Sequence, residues 1–79
     1  MIYLIQFINE TEPRFAATRD KMIEIVNNYI TEHLGDEEDL KLDLLALLIH
    51  NINKANFTIE DICEVKSYRI EVWGGVKWL

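Results

Sequence analysis

Hydroxyl, thiol and imidazole groups suited to nucleophilic catalysis are few in this chain. Ser67 is the only serine, Cys63 the only cysteine, and the two histidines are His33 and His50. Nucleophilic catalysis needs a hydroxyl or thiol held against a base, and either histidine could serve as that base. The neighbours of Cys63 argue for a different role. Ile59, Ile62 and Val65 surround it in sequence, which is the setting of a buried, inert thiol. His33 and His50 fall on separate predicted helices with no ligand motif around either, so surface and capping roles are expected of them. A single cysteine also excludes an internal disulfide and a Cys-based zinc site.

Carboxylates are the abundant group. Asp36, Glu37, Glu38, Asp39 and Asp43 are crowded together with only Lys41 among them. A hard cation would accept such oxygens, but the alternate ligands and central glycine of an EF-hand loop are absent. Gly74-Gly75 precedes a strand-like segment rather than a helix, so it cannot cradle a phosphate at a helix N-terminus. Neither a metal ion nor a cofactor is expected.

The formal charge of −6 argues against direct nucleic-acid binding, which needs Lys and Arg to replace counterions, and against an anionic membrane surface. No run approaches the ~20 apolar residues of a membrane span. The apolar start Ile2–Ile8 lacks the basic flank and cleavage site of a signal peptide. A reducing, cytoplasmic setting is therefore expected. At 79 residues and 49% hydrophobic, the chain reads as one small domain, 1–79, with ample material for a core.

The elements that must position these groups follow from periodicity. Ile2-Tyr3-Leu4-Ile5-Gln6-Phe7-Ile8 reads as a strand covered on both sides. Thr11 or Asn9 is expected to cap a first helix with Pro13 in its early turn, running to about Leu34. Its buried side holds Phe15, Met22, Val26, Tyr29, Ile30 and Leu34, widened by Ile23 and Ile25. Gly35 suits the left-handed position beyond the helix end. Asp36 and Asp39 form a capping-box-like pair at the start of a second helix. There Leu40, Leu44, Leu45, Leu47, Leu48 and Ile52 make one broad apolar arc, and Leu42 and Ile49 extend it beyond a single stripe.

Asn56–Cys63 resembles a short helical turn capped by Thr58, with Asp61 in the reciprocal position and Phe57 and Ile62 as a hydrophobic staple. In the last segment Tyr68, Ile70 and Val72 alternate with Arg69, Glu71 and Trp73 at strand period. Gly74-Gly75 then fits a two-residue hairpin turn that sets Trp73 against Val76 and Glu71 against Trp78. One long strand with a glycine bend is the alternative, with Trp78 inside and Trp73 outside. The sum is an α+β domain, β-α-α-(short α)-β-β, with a two- or three-stranded sheet packed on two main helices.

With Asp36 and Asp39 assigned to capping, the residues left for contact are Glu37, Glu38, Asp43, Leu42 and Ile49. Arg69, Trp73 and Trp78 join them, because tryptophan and arginine are favoured interface anchors. A covered position for both tryptophans in the core stays equally open. The expectation is a non-enzymatic interaction module, a small acidic inhibitor or regulatory protein that blocks a partner protein with a basic surface. Nucleic-acid mimicry toward a DNA- or RNA-binding protein, and a structural homodimer, are the alternatives. In size, acidity and lack of catalytic groups the chain resembles small inhibitors and regulators carried by phages and mobile elements; the resemblance maps no residue.

Overall fold

A computed structural model of the chain describes residues 2–34, 36–62 and 67–75. In order these form β1 (Tyr3–Phe7), β2 (Arg14–Ala16), α1 (Arg19–His33), α2 (Glu38–Asn51), β3 (Asn56–Ile62) and β4 (Ser67–Gly74). The strands make one antiparallel sheet in the order β2-β1-β4-β3. The α+β class is as expected, with four strands rather than two or three.

Strand period puts alternate side chains on one face. Ile5 lies opposite Val72, which lies opposite Phe57; Phe7 lies opposite Ile70, which lies opposite Ile59. All six are buried, with Tyr3 and Ala16 beside them. Both helices pack on this face. Met22, Val26, Tyr29, Ile30 and Leu34 come from α1 and its C-cap, and Leu40, Leu44 and Leu48 from α2, all in the same core cluster. No helix among the described residues is long and apolar enough to cross a membrane.

Two segments differ from the expectation. Residues 14–16 are a strand, not the first turn of a helix. Pro13 lacks an N–H and sits immediately before an edge strand, where that loss is tolerated. Helix α1 begins only after Thr18, whose extended backbone (φ −136°, ψ 162°) lets its Oγ1 accept from the Lys21 N–H at 3.1 Å. Asn9, the other expected cap, instead accepts a hydrogen bond from the Tyr29 hydroxyl. Phe15 accordingly leaves the helix face and is 42% exposed on the sheet.

Residues 56–62 are likewise a strand rather than a helical turn. Phe57 and Ile59 enter the core while Thr58 and Glu60 stay exposed, which is strand alternation, and Phe57 serves the core rather than a staple. The expected roles of Gly35 and Cys63 lie outside the described residues.

Gly74 is a strand residue opposite Tyr3, not the first residue of a turn. A Cβ there would sit 2.6 Å from the Ala55 carbonyl oxygen, which also accepts the Gly74 N–H. Close backbone approach thus requires the glycine. Strand β4 has β1 on one edge and β3 on the other, so Glu71 already pairs with Gln6 and Thr58 rather than offering an edge to a hairpin. Residues 76–79, the far arm of that expected hairpin, lie outside the described residues.

An aromatic column pins the turn after β1 to α1. Phe7 stacks on Tyr29 at 3.8 Å between ring centroids, and Tyr29 stacks on His33 at 4.1 Å. The Arg14 guanidinium lies 5.0 Å from the Phe7 centroid and grips Glu10 through Nε at 3.0 Å and Nη2 at 2.5 Å. That pairing holds Arg14 above its ordinary value. Burial, then the charge of Glu10, pushes the Tyr29 phenol up, against the opposing hydrogen bond with Asn9.

Phe7→Ala is expected to cost about 3–5 kcal/mol in urea unfolding, and Thr18→Ala about 1 kcal/mol. Equal small losses for both would contradict this core. The raised Tyr29 pKa contributes stability that is fully present below the unfolded phenol value of about 10 and is lost as pH rises through the folded value. Thermal melts of Tyr29→Phe should therefore fall less steeply with alkaline pH than those of the wild type. An unchanged alkaline slope would contradict the assignment.

Candidate functional site

Helix α2 has more leucine than one face can use. Leu40, Leu44 and Leu48 recur every four residues and are buried against the sheet side. A second set, Leu42, Leu45 and Ile49, follows steps of three and four, which is the spacing of a helix–helix seam. Leu42 is 57% and Ile49 69% exposed. Leu45 is half-buried and Ala46 exposed between them. The sheet can cover only one arc of the helix, so Leu42 and Ile49, and in part Leu47, stay outside although they are as apolar as the core set, while Leu45 packs partly against the core.

The acidic head of α2 is arranged differently from the expectation. Glu37, not Asp36, is the N-cap, with φ −110° and ψ 73°, and makes no side-chain cap bond. Among the described residues neither the Asp36 nor the Asp39 side chain forms a hydrogen bond, so the capping box does not form. Asp36, Glu37, Glu38, Asp39 and Asp43 are all exposed. Lys41 offsets one charge through a 3.5 Å contact between its Nζ and Glu38 Oε1. The helix dipole favours this negative charge without any capping bond. The two aspartates assigned to capping thus remain surface charge like the other three.

Arg69 and Trp73 lie on the other face of the sheet, away from both helices. Trp73 is 42% exposed and stands in a row with Leu4 and Phe15 across three strands. Arg69 sits two residues beyond Glu71 toward the opposite end, paired to it at 2.7 Å. With Gln6 and Ile8 these two line a shallow depression. The expected contact residues therefore divide into two surfaces separated by the core. Glu37, Glu38, Asp43, Leu42 and Ile49 share α2; Arg69 and Trp73 do not join them; Trp78 lies outside the described residues. The expected arc already included Leu45, but not its part in the outward seam; the step of three from Leu42 and four to Ile49 was the available signal. Leu4 and Phe15 on the open sheet face went unrecognised because Phe15 read as helical.

The imidazoles are dispersed. His33 stacks on Tyr29, with Nδ1 3.0 Å from the Tyr29 carbonyl oxygen, and His50 is exposed near the end of α2. Among the described residues no three His, Cys, Asp or Glu side chains are grouped so as to hold a metal ion. What this surface offers is an apolar stripe of helical spacing, headed by carboxylates.

Because the two faces of α2 differ in burial, truncations on them should differ in cost. Leu44→Ala is expected to lose about 2–5 kcal/mol of stability, whereas Leu42→Ala and Ile49→Ala lose much less, each within about 1 kcal/mol. Chemical denaturation measures all three; equal losses would contradict the outward placement. Compared with known protein families, with curated proteins and with solved structures, the chain matches none.

Proposed function

We propose that this protein is a non-enzymatic, cytoplasmic interaction module, a small acidic inhibitor or regulator that acts by covering a basic surface of another protein. The outward face of α2 carries the reading. Leu42 and Ile49 leave large apolar area in water, and the acidic head beside them is not consumed by capping. Burying the leucine stripe supplies affinity, while the carboxylates steer a basic partner and fix its direction. An amphipathic helix with Lys or Arg at one end matches this chemistry, since helices recognise one another through anchors at such spacings. The charge lies in Asp36–Asp39 with Asp43 one turn on, a smaller extent than a stretch of nucleic-acid backbone would present.

A helical Leu/Lys peptide serves as a stand-in for the partner in a titration followed by nuclear magnetic resonance. Shifts are expected at Leu42, Leu45, Ile49 and the adjacent carboxylates. Binding should weaken as salt rises from about 0.05 to 0.5 M and in a Glu37→Lys/Glu38→Lys variant. Shifts confined to Arg69 and Trp73, or affinity indifferent to the acidic residues, would overturn this assignment of the surface.

A further inference from the structure

The two edges of the sheet differ. At one, β2 is three residues long, follows Pro13 and has Arg14 held by Glu10. A short strand, a proline and a charged side chain are means by which an edge is closed to pairing. At the other, β3 runs seven residues, Asn56–Ile62, in unbroken register with β4. It contains no proline, lysine or bulge, and among the described residues no strand lies on its far side. Its charges, Glu60 and Asp61, are both acidic. An edge of one sign is guarded against a second copy of itself and open to a strand of the opposite sign.

The ladder shows which backbone groups are free. The Gly74 N–H bonds the Ala55 carbonyl at 2.6 Å, and the Ile8 N–H bonds the Arg69 carbonyl at 3.2 Å. Bonded and non-bonded pairs alternate along an antiparallel ladder. Phe57 with Val72 and Ile59 with Ile70 are therefore bonded pairs. Asn56, Thr58 and Glu60, opposite Trp73, Glu71 and Arg69, turn their N–H and C=O groups away from β4, and all three are exposed.

We propose that β3 accepts a further strand: an extended segment of another protein, with Lys or Arg beside Glu60. Such addition takes affinity from the main-chain ladder and specificity from alternate side chains. Glu60 has no ion pair among the described residues, because Arg69 across from it is paired to Glu71 at 2.7 Å. Residues of the segment that share the face of Thr58 and Glu60 are polar or basic. Those between them lie beside the buried Phe57 and Ile59, on the face that α2 covers, and are apolar. The edge is a different surface from the outward face of α2 and does not depend on it.

Amide hydrogen exchange of the full chain tests this, with a Val/Lys-alternating peptide of about ten residues as the probe. In the free protein the amides of Phe57 and Ile59 should be protected and those of Thr58 and Glu60 open. Excess peptide should slow exchange at Thr58 and Glu60 about tenfold or more. Thr58→Pro removes an N–H that β4 does not use, so it should keep the circular dichroism and bind about tenfold or more weakly. Glu60→Lys should weaken binding about 2- to 5-fold. The same peptide N-methylated on its ladder-facing amides should not bind; it makes the test on the wild type if Thr58→Pro unfolds. Protection of Thr58 and Glu60 in the free chain, protection that rises with protein concentration alone, or exchange unchanged by peptide would each overturn the proposal. Equal binding of the N-methylated peptide would do the same. Peptide shifts at α2 with none at β3 would overturn the edge and leave the α2 reading standing, so the two fail separately.

Discussion

Two rows of side chains cross the middle of the sheet: Ile5–Val72–Phe57 and Phe7–Ile70–Ile59. Each is continuous only because β4 lies between β1 and β3, so the last described strand ties the first to the third. Gly74 allows that placement, since its N–H reaches the Ala55 carbonyl at a distance no Cβ would permit. With the rows in place, one face of the sheet is apolar and both helices must settle on it. Leu44 and its neighbours are the part of α2 that this face can cover; Leu42 and Ile49 are what it leaves.

The strands most clearly marked in the chain were those with unbroken alternation or dense β-branching, β1 and β4. The core side of α1 was legible as well, because Met22, Val26, Tyr29 and Ile30 obey helical spacing over several turns and are buried. The misread segments were short and carried competing signals. Pro13 suits an early helical turn and the start of an edge strand equally well. Thr58 followed by Asp61 resembles a cap pair, yet Phe57 and Ile59 have a core to enter only if the segment is extended. In both places tertiary pairing outweighed a local pattern of four or five residues.

The surface residues of α2 were legible for a simple reason: too many leucines cannot share one arc. The state of its carboxylates was not. Whether an aspartate caps a helix depends on the backbone angles just before the first turn, and the chain enters α2 at φ −110°, ψ 73° through Glu37. That entry leaves Asp36 and Asp39 in solvent, so acidity and apolar surface lie side by side on one element. Arg69 and Trp73 were grouped as favoured anchor types, but four residues along a strand separate them by about 13 Å. They also lie across the sheet from α2.

The division of α2 into a covered and an uncovered face is the claim on which the functional reading stands. Solvent relaxation of methyl resonances by a soluble nitroxide, in dilute solution, measures it directly. The methyls of Leu42 and Ile49 should broaden strongly while those of Leu40, Leu44 and Leu48 persist. Equal protection of both sets, or broadening of the core set, would contradict the account.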